Sequence, residues 1–307
     1  MTVSVLTIAR GREAHLRNLI EGLECQTRRP DELVIAVMQD RPYDLPFSSF
    51  PVRQVPAQGD PLPLSKARNA AARAAKGEAL VFLDVDCIPD PTFLGDYERY
   101  LSGEEGLMMG EVMYLPEGVA GAGWTYAEFE VRGERHSERR GPPESGSDPC
   151  EDYRCFWSLN FALTRDAWQR SGGFDERYAG YGGEDTDFGR ELLERGIPLR
   201  WVRGARAYHQ HHAHHMPPVH HVASILRNAQ VFKEKWGHHT MEHWLRAFRL
   251  MGLIERNGEG WRVLREASDD DFALTRQQSH MPYASSARVM RQLEARETAM
   301  PQAIAAE

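Results

Sequence analysis

The first hundred residues alternate between short apolar runs and amphipathic segments, and this alternation limits the possible folds more than any other feature of the chain. The runs 32–38 and 79–83 are almost continuously apolar, which is typical of strands buried on both faces of a sheet. Strand patterns lie at residues 3–8, 32–38, 52–55 and 79–83, and helix patterns lie at residues 13–24, 65–75 and 91–101. The alternation predicts an α/β fold, doubly wound, with a mainly parallel central sheet flanked by helices.

The second half of the chain has less regular patterns. Residues 107–114 and 156–163 each read as one strand, and the polar residues 133–149, rich in glycine and proline, predict a loop. We expect the helix over residues 65–75 to use Ser65 as its cap. Helix patterns return after residue 217, so the C-terminal part is expected to be helical.

Polar side chains follow three of the predicted strands. Residues 7–10 close the first strand, Asp40 follows the second, and Asp84 and Asp86 follow the run 79–83. In parallel sheets, ligands bind at the carboxyl ends of the strands. Asp84 and Asp86 are alternate residues, so their carboxylates can share one face and hold Mg²⁺ or Mn²⁺ with a diphosphate. The alternative is a strand-end turn with two solvated acids.

A second acidic cluster stands at the start of a predicted helix. Glu184, Asp185 and Asp187 follow the glycine pair 182–183 and precede an apolar helix face. Acids at a helix N-terminus are favourable in themselves, so helix capping is one interpretation. Glycine also lets the backbone approach a ligand closely, which favours a binding or catalytic site.

Seven of the 13 histidines lie between His209 and His221. Three interpretations remain open: a zinc or nickel site, one imidazole that completes a Mn²⁺ shell otherwise made of acids, or a histidine-rich surface loop. No HExxH spacing is present in this sequence. The second interpretation requires His209 to reach the same cleft as Asp86.

Composition excludes several classes of protein. The net charge is −8, from 37 basic and 45 acidic residues, which argues against a nucleic-acid binder. Apolar runs are too short for an integral membrane segment, and the first residues lack a signal-peptide pattern. Four cysteines without CxxC spacing predict reduced thiols and a cytoplasmic location. GxSxG, Walker and GxGxxG motifs are absent, so serine hydrolases, P-loop enzymes and Rossmann dehydrogenases lack support.

Together these motifs resemble the family 2 glycosyltransferases of the GT-A fold, over about residues 1–240. The segment 172–192, GGFDERYAGYGGEDTDFGREL, also resembles the C-terminal domain shared by β-galactosyltransferases and polypeptide N-acetylgalactosaminyltransferases. The resemblance implies a nucleotide-sugar-binding half over residues 1–105 and an acceptor half of the same domain over residues 106–240. Residues 241–307 form a helical C-terminal extension outside the likeness.

The resemblance implies roles for individual residues. The uridine would lie at Thr7, Ala9 and Arg10, although the chain lacks the proline and tyrosine of the family's usual Pro-x-Tyr-Asn-Arg pattern. The remaining nucleotide contacts would come from Asp40, Arg68, Asn69 and Asp84. Direct metal binding would fall to Asp86 and His209, with Asp84 near the ribose and metal and His212 as the fallback. Asp185 would be the catalytic base, with Glu184 orienting the acceptor.

The activity implied is a metal-dependent, inverting transfer. A hexose or N-acetylhexosamine would move from a UDP-sugar to an acceptor hydroxyl, with Mn²⁺ or Mg²⁺ as cofactor. The acceptor is a glycan, a lipid-linked glycan or a small molecule, and the sequence leaves the sugar and the oligomeric state open. The alternatives are a nucleotidyltransferase or other nucleotide-sugar enzyme, and a non-catalytic nucleotide-sugar-binding protein. Residues 133–149 are either a lid or a surface loop.

Overall fold

The predicted alternation of strands and helices is present in the structure, a computed structural model that describes residues 1–258, 260–278 and 280–304, with side chains up to residue 298. Its strands are β1 (Val3–Ala9), β2 (Glu32–Val37), β3 (Val52–Pro56), β4 (Ala79–Leu83), β5 (Cys87–Pro89), β6 (Leu107–Met109), β7 (Val112–Tyr114), β8 (Glu134–Arg135), β9 (Ser147–Cys150), β10 (Asn160–Thr164), β11 (Leu199–Val202), β12 (Ala207–His209), β13 (Ile254–Asn257) and β14 (Gly260–Val263). Its helices are α1 (Glu13–Glu24), α2 (Leu64–Ala74), α3 (Phe93–Leu101), α4 (Tyr126–Arg132), α5 (Arg165–Ser171), α6 (Glu184–Glu194), α7 (Val222–Trp236), α8 (Glu242–Leu250), α9 (Asp269–Thr275) and α10 (Ser286–Ile304). Short 3₁₀ turns occupy Tyr153–Cys155 and Val219–His221.

The larger sheet has the order β3-β2-β1-β4-β10-β6-β11-β9. Its first four strands are parallel, and Ala9 pairs with Val37, so β1 and β2 end at the same edge. Strand β10 runs antiparallel to both of its neighbours, whereas β11 is parallel to β6. The parallel half confirms the predicted α/β class and places the carboxyl ends of β1, β2 and β4 side by side.

Helices cover both faces of this sheet because its strands are apolar on both faces. Val3 and Val5 of β1 join one core cluster with helices α1 and α3. Leu6 and Ile8 of the same strand point the other way and join the cluster formed with α2, α5 and α6. The doubly wound arrangement predicted from the sequence is thereby confirmed.

A smaller sheet, with the order β5-β12-β7-β8, explains one wrong prediction. Residues 107–114 were predicted as one strand, but the chain leaves the larger sheet after β6 and enters the smaller sheet as β7. Gly110 lies at the crossing, where an added Cβ would lie 2.2 Å from the carbonyl oxygen of Ala205. Only glycine permits this close approach, and the break follows from it.

Three local predictions also need correction. Ser65 does not cap α2: the helix begins at Leu64 after Pro63, without a side-chain cap hydrogen bond. Residues 133–149 are not a continuous loop, because they contain β8 and the start of β9, which pairs through its backbone with β11. The strand predicted over 156–163 begins only at Asn160, after the 3₁₀ turn.

The chain divides into two compact units. The first contains residues 1–179 and 184–211, and the second contains residues 180–183 and 212–307. In the second unit, α7, α8, the hairpin β13–β14 and α10 enclose a core of buried apolar side chains that includes Ile225, Phe248 and Leu253. This unit contains the predicted helical C-terminal extension. The functional division at residues 105 and 240 stays a prediction.

Candidate active site

The acidic pair after β4 stands on a tight turn at the carboxyl edge of the larger sheet. The backbone N–H of Cys87 donates to the carbonyl oxygen of Asp84 at 2.9 Å, which closes the turn. The N–H of Asp84 donates to the carbonyl oxygen of Leu159 at 2.9 Å. The turn leads directly into β5, so the two carboxylates lie where the larger sheet gives way to the smaller one.

The smaller sheet brings His209 to Asp86. Cys87 of β5 is paired with His209 of β12, and the imidazole Nε2 lies 3.6 Å from Asp86 Oδ1. The ring of Tyr114 packs at 4.8 Å against the imidazole and limits its orientation. The backbone N–H of Gln210 also donates to the Asp86 carbonyl oxygen at 2.7 Å. Two residues 123 positions apart are therefore held together by strand pairing.

The donor set at Asp86 and His209 suits a divalent cation. One carboxylate oxygen and one imidazole nitrogen are ligands that Mn²⁺ accepts, and their separation allows both to approach one ion after a small side-chain movement. His212, the predicted fallback ligand, belongs to the second unit. The predicted pairing of Asp86 with His209 is present, whereas their role as metal ligands stays a prediction.

Arg68 of α2 links the two acidic motifs of the sequence. Its guanidinium lies 3.7 Å from Asp84 and 3.4 Å from Glu184, and it packs 5.2 Å from the ring centre of Phe174. The Arg68 side chain is only 5% exposed, so little water screens these contacts. One side chain can span both carboxylates only if the acid after β4 and the acid beginning α6 face a common space.

Glu184 and Asp185 occupy the first turn of α6. Asp185 Oδ1 accepts a hydrogen bond of 2.8 Å from the backbone N–H of Thr186. Glu184 is buried, and its Oε2 atom has no hydrogen-bond partner within the part of the chain that the structure describes. A buried carboxylate oxygen without a donor is unfavourable unless a ligand supplies one.

Burial and mutual repulsion raise the pKa of two of these carboxyl groups. The pKa of Asp185 rises to about 7, chiefly through burial and then through the charge of Glu184. The pKa of Asp84 also rises to about 7, through burial and the charges of Asp86, Glu184 and Asp185, although Arg68 opposes the rise. Asp84 therefore senses the carboxylates of α6, which supports one shared site.

The predicted nucleotide residues of β1 and β2 lie at the same sheet edge. Ala9 is the last residue of β1, Arg10 is exposed just beyond it, and Asp40 is exposed after β2. Thr7 lies within β1, and its buried hydroxyl has no hydrogen-bond partner among the described residues. The N–H of Gly11 donates to Gln39 Oε1 at 2.8 Å and ties the two strand ends together.

Asn69 is held by hydrogen bonds to Phe174 and Glu176. Its amide oxygen accepts from the N–H of Phe174 at 2.9 Å, and its amide nitrogen donates to the Phe174 carbonyl and to Glu176 Oε1 at 2.8 and 2.9 Å. These bonds join α2 to the turn at residues 174–176, which also holds Phe174 beneath Arg68. Contact between Asn69 and a nucleotide stays a prediction.

Arg12 is a site residue that sequence reasoning missed. Its guanidinium lies 3.7 Å from Asp86 Oδ2, and its backbone is left-handed at φ 57° just before α1. Basic residues at positions 10 and 12 after a buried strand were the available signal. That signal does not say which of the two turns toward Asp86, because the answer depends on the backbone turn at Gly11 and Arg12.

Comparison with protein families gives two matches that overlap this site. A model described as "Glycosyl transferase family 2" matches residues 59–163, which include Asp84 and Asp86. A model described as "N-terminal domain of galactosyltransferase" matches residues 145–215, which include Glu184, Asp185 and His209. Together the two matches support a glycosyltransferase of the family 2 type with the GT-A fold. The predicted likeness of its second half to galactosyltransferases is also confirmed.

Curated relatives of this chain are named as a glucosyltransferase and as polysaccharide synthases. Validoxylamine A glucosyltransferase of Streptomyces hygroscopicus subsp. limoneus is 27% identical over 271 residues, which cover 76% of this chain and 56% of the relative. Chondroitin synthase of Escherichia coli is 27% identical over 173 residues, covering 48% of this chain and 25% of the relative. The chain spans about half the length of the first curated relatives it matches.

A solved structure supports the GT-A fold. GalNAc-T7 with UDP, GalNAc and Mn²⁺ aligns with a TM-score of 0.50 at 16% identity, covering 69% of this chain and 44% of that chain. At this identity the likeness concerns the fold alone. Among the described residues, no helix combines the length and apolar character that crossing a bilayer requires. The cytoplasmic location stays a prediction.

Proposed function

We propose that this family 2 glycosyltransferase moves a hexose or N-acetylhexosamine from a UDP-sugar to an acceptor hydroxyl, with a divalent metal and with inversion at the anomeric carbon. The observation that carries the proposal is the position of Arg68 between Asp84 and Glu184, at 3.7 and 3.4 Å. A donor bound beside Asp84 and an acceptor bound beside Glu184 would then meet in one space.

The donor side consists of the strand ends within residues 1–105. Ala9, Arg10 and Asp40 stand at the edge where β1 and β2 end, and we propose that they bind the uridine. Arg68 and Asp84 follow along the same edge, toward the ribose and phosphates. GalNAc-T7, which shares the fold, was crystallised with UDP and Mn²⁺, and the donor class is proposed on this basis.

A divalent cation would be held by Asp86 and His209, with Asp84 nearby. When bound, Mn²⁺ or Mg²⁺ supplies positive charge to the diphosphate that departs from the sugar. The protein contributes the geometry: β5 and β12 keep the two ligands together, and Arg12 adds a fixed positive charge beside Asp86.

The acceptor side is the first turn of α6, within residues 106–240. Asp185 is the proposed general base, which takes the proton as the acceptor oxygen attacks the anomeric carbon. A pKa of about 7 matches this task, because the group binds a proton readily and still ionises near neutral pH. The partnerless oxygen of Glu184 would accept a second acceptor hydroxyl and orient the sugar.

The test is release of UDP from UDP-glucose, UDP-galactose and their N-acetylamino forms, with Mn²⁺ and a panel of glycoside acceptors. Asp185→Asn keeps the size of the side chain and removes the base, so we expect a loss of about 10²–10⁴-fold in turnover. Affinity for UDP should change little. Glu194→Gln is the matched control, because Glu194 is an exposed acid on the same helix.

Two other outcomes would replace this proposal. Full turnover in Asp185→Asn would remove the base assignment and favour a nucleotidyltransferase or another nucleotide-sugar enzyme. Binding of UDP-sugar without turnover by the wild-type protein, across the whole acceptor panel, would favour a nucleotide-sugar-binding protein.

A further inference from the structure

Arg139, in the first unit, is a buried cation that the proposed mechanism does not use. All three nitrogen atoms of its guanidinium are buried, and none has a hydrogen-bond partner within the described part of the chain. A guanidinium carries five N–H donors and stays charged at any physiological pH. Leaving such a group buried without an acceptor is costly, so its position requires an explanation.

Two indole rings hold the Arg139 guanidinium. Its central carbon lies 5.0 Å from the ring centre of Trp201 and 5.7 Å from that of Trp157. Cation–π attraction offsets part of the lost hydration, but it leaves the N–H donors without acceptors. The aromatic contacts therefore orient the planar group without satisfying its N–H donors.

Within residues 1–258, 260–278 and 280–298, no carboxylate stands among the strongest electrostatic neighbours of Arg139. These neighbours are Tyr114, Tyr97, Cys87 and Cys155. Burial raises the pKa of Tyr97 and of Cys87, so both stay neutral at pH 7. The positive charge is therefore not balanced by these groups, and an anion from outside the chain would balance it.

Packing places this cation against β11, in the half of the sheet away from the proposed uridine contacts. Trp201 belongs to β11, three strands beyond β4 in the sheet order, which corresponds to roughly 14 Å at the usual strand spacing. The proposed uridine contacts lie on β1 and β2, beyond β4 in the opposite direction. Arg139 is nevertheless connected to the site, because the His136 ring contacts both Trp157 and Tyr114, and Tyr114 packs on His209.

We propose that Arg139 binds an oxyanion, a carboxylate or a phosphate, carried by the acceptor, and so selects acidic acceptors; this inference rests on the proposed function. The planar guanidinium can make two parallel hydrogen bonds to either oxyanion. Access requires movement of the turn that carries Arg139, and its neighbours Glu138 and Arg140 are exposed.

The test measures binding without donor, by tryptophan fluorescence and calorimetry, because Trp157 and Trp201 flank the guanidinium. Three matched ligands are methyl β-glucoside, methyl β-glucuronide and methyl β-glucoside 6-phosphate, with UDP as the fourth. We expect the wild-type protein to prefer at least one acidic glycoside over the neutral glucoside by about tenfold or more, as a charged hydrogen bond implies. Preferred binding of the glucuronide would identify a carboxylate as the ligand of Arg139, and preferred binding of the 6-phosphate would identify a phosphate.

Arg139→Gln should abolish this preference and leave UDP affinity within about twofold. Arg140→Gln is the control, since Arg140 is exposed and pairs with Asp148 at 3.1 Å. Arg139→Lys keeps the charge and loses the planar fork, so an intermediate preference is expected even if Arg139→Gln is poorly folded.

Equal affinity of the wild type for all three glycosides, including no measurable binding, would overturn the inference. A preference for acidic glycosides that persists unchanged in both Arg139 variants would also overturn it. So would a tenfold loss of UDP affinity in Arg139→Gln that leaves this preference intact. The binding test contains no sugar donor, so its outcome does not depend on sugar transfer. Failure of the turnover test and failure of the binding test are therefore separate results.

Discussion

Asp185 shows how a buried position changes the chemistry of one carboxyl group. Burial and the charge of Glu184 raise its pKa to about 7, from an ordinary value of 3.8. Thr186 stabilises the ionised form through its backbone N–H, but this one bond does not restore the ordinary value. The group therefore exchanges its proton near neutral pH, where a general base is most effective.

The same shift has a consequence for stability. Because the pKa of Asp185 is higher in the folded than in the unfolded state, the folded state binds the proton more tightly between pH 3.8 and about 7. Ionisation of Asp185 therefore destabilises the fold as pH rises through this window. We expect Asp185→Asn to be more thermally stable than wild type by an amount that grows from pH 4 to pH 7 and stays constant above pH 7.

Melting temperatures of wild type, Asp185→Asn and Glu194→Gln, measured without metal from pH 4 to pH 8, check this prediction. Glu194→Gln should follow wild type throughout, because its carboxylate is exposed. A stability difference between Asp185→Asn and wild type that does not change with pH would contradict the assigned pKa shift.

At the scale of elements, Asn160 fastens the crossing between the two sheets. It begins β10, and its Oδ1 accepts a hydrogen bond of 2.6 Å from the hydroxyl of Tyr97 in α3. Its amide nitrogen donates to the carbonyl oxygens of Glu111 and Ala205 at 3.0 and 2.8 Å. Those carbonyls belong to the segments that enter β7 and β12, so one fully buried side chain supports the sheet that carries His209.

Asn160→Ala should therefore destabilise the protein strongly. The carbonyl oxygen of Ala205 and the phenol of Tyr97 lose the partner that Asn160 supplies, and each unsatisfied group costs about 1–3 kcal/mol. The carbonyl oxygen of Glu111 keeps its hydrogen bond from the N–H of Ala207 at 2.9 Å. We expect a loss of about 2 kcal/mol or more in the free energy of unfolding, measured by urea denaturation.

Tyr97→Phe is the comparison: it removes the hydroxyl that donates to Asn160 and accepts from the N–H of Gly110 at 3.1 Å. It should cost less, because Gly110 keeps the carbonyl oxygen of Asn160 and the amide nitrogen of Asn160 keeps both of its acceptors. Equal costs for the two variants would contradict this account.

At the scale of the whole molecule, metal binding must be separated from general attraction to an acidic protein. The net charge of −8 attracts cations wherever they bind. A specific site instead stabilises the folded state by mass action, by about 2.7 kcal/mol at a free metal concentration 100 times the dissociation constant.

We expect Mn²⁺ to raise the melting temperature of wild type and to have little effect on Asp86→Asn or His209→Ala. Asp166→Asn is the matched control, because it removes the same charge from an exposed position. His212→Ala tests the fallback ligand in the same assay. An unchanged Mn²⁺ effect in both Asp86→Asn and His209→Ala would place the metal elsewhere.

Much of the first unit was predictable because its signals are local. The runs 32–38 and 79–83 are apolar on both faces, and such strands must lie inside a sheet covered by helices. The prediction failed where local pattern and tertiary contact disagree. Residues 107–109 and 112–114 are apolar on either side of Gly110 and Glu111, and only the close approach of Gly110 to Ala205 marks where the chain passes into a second sheet.

By itself, the sequence determined the α/β alternation, the parallel half of the sheet and the acidic motifs at its edge, because period and composition act over a few residues. Only the tertiary structure decided which groups meet. Arg68 reaches Glu184 across 116 positions, Asp86 reaches His209 through the pairing of β5 with β12, and Arg139 lies between two indoles. These contacts depend on long-range packing and burial, which no local pattern encodes, and burial also raises the pKa of Asp185.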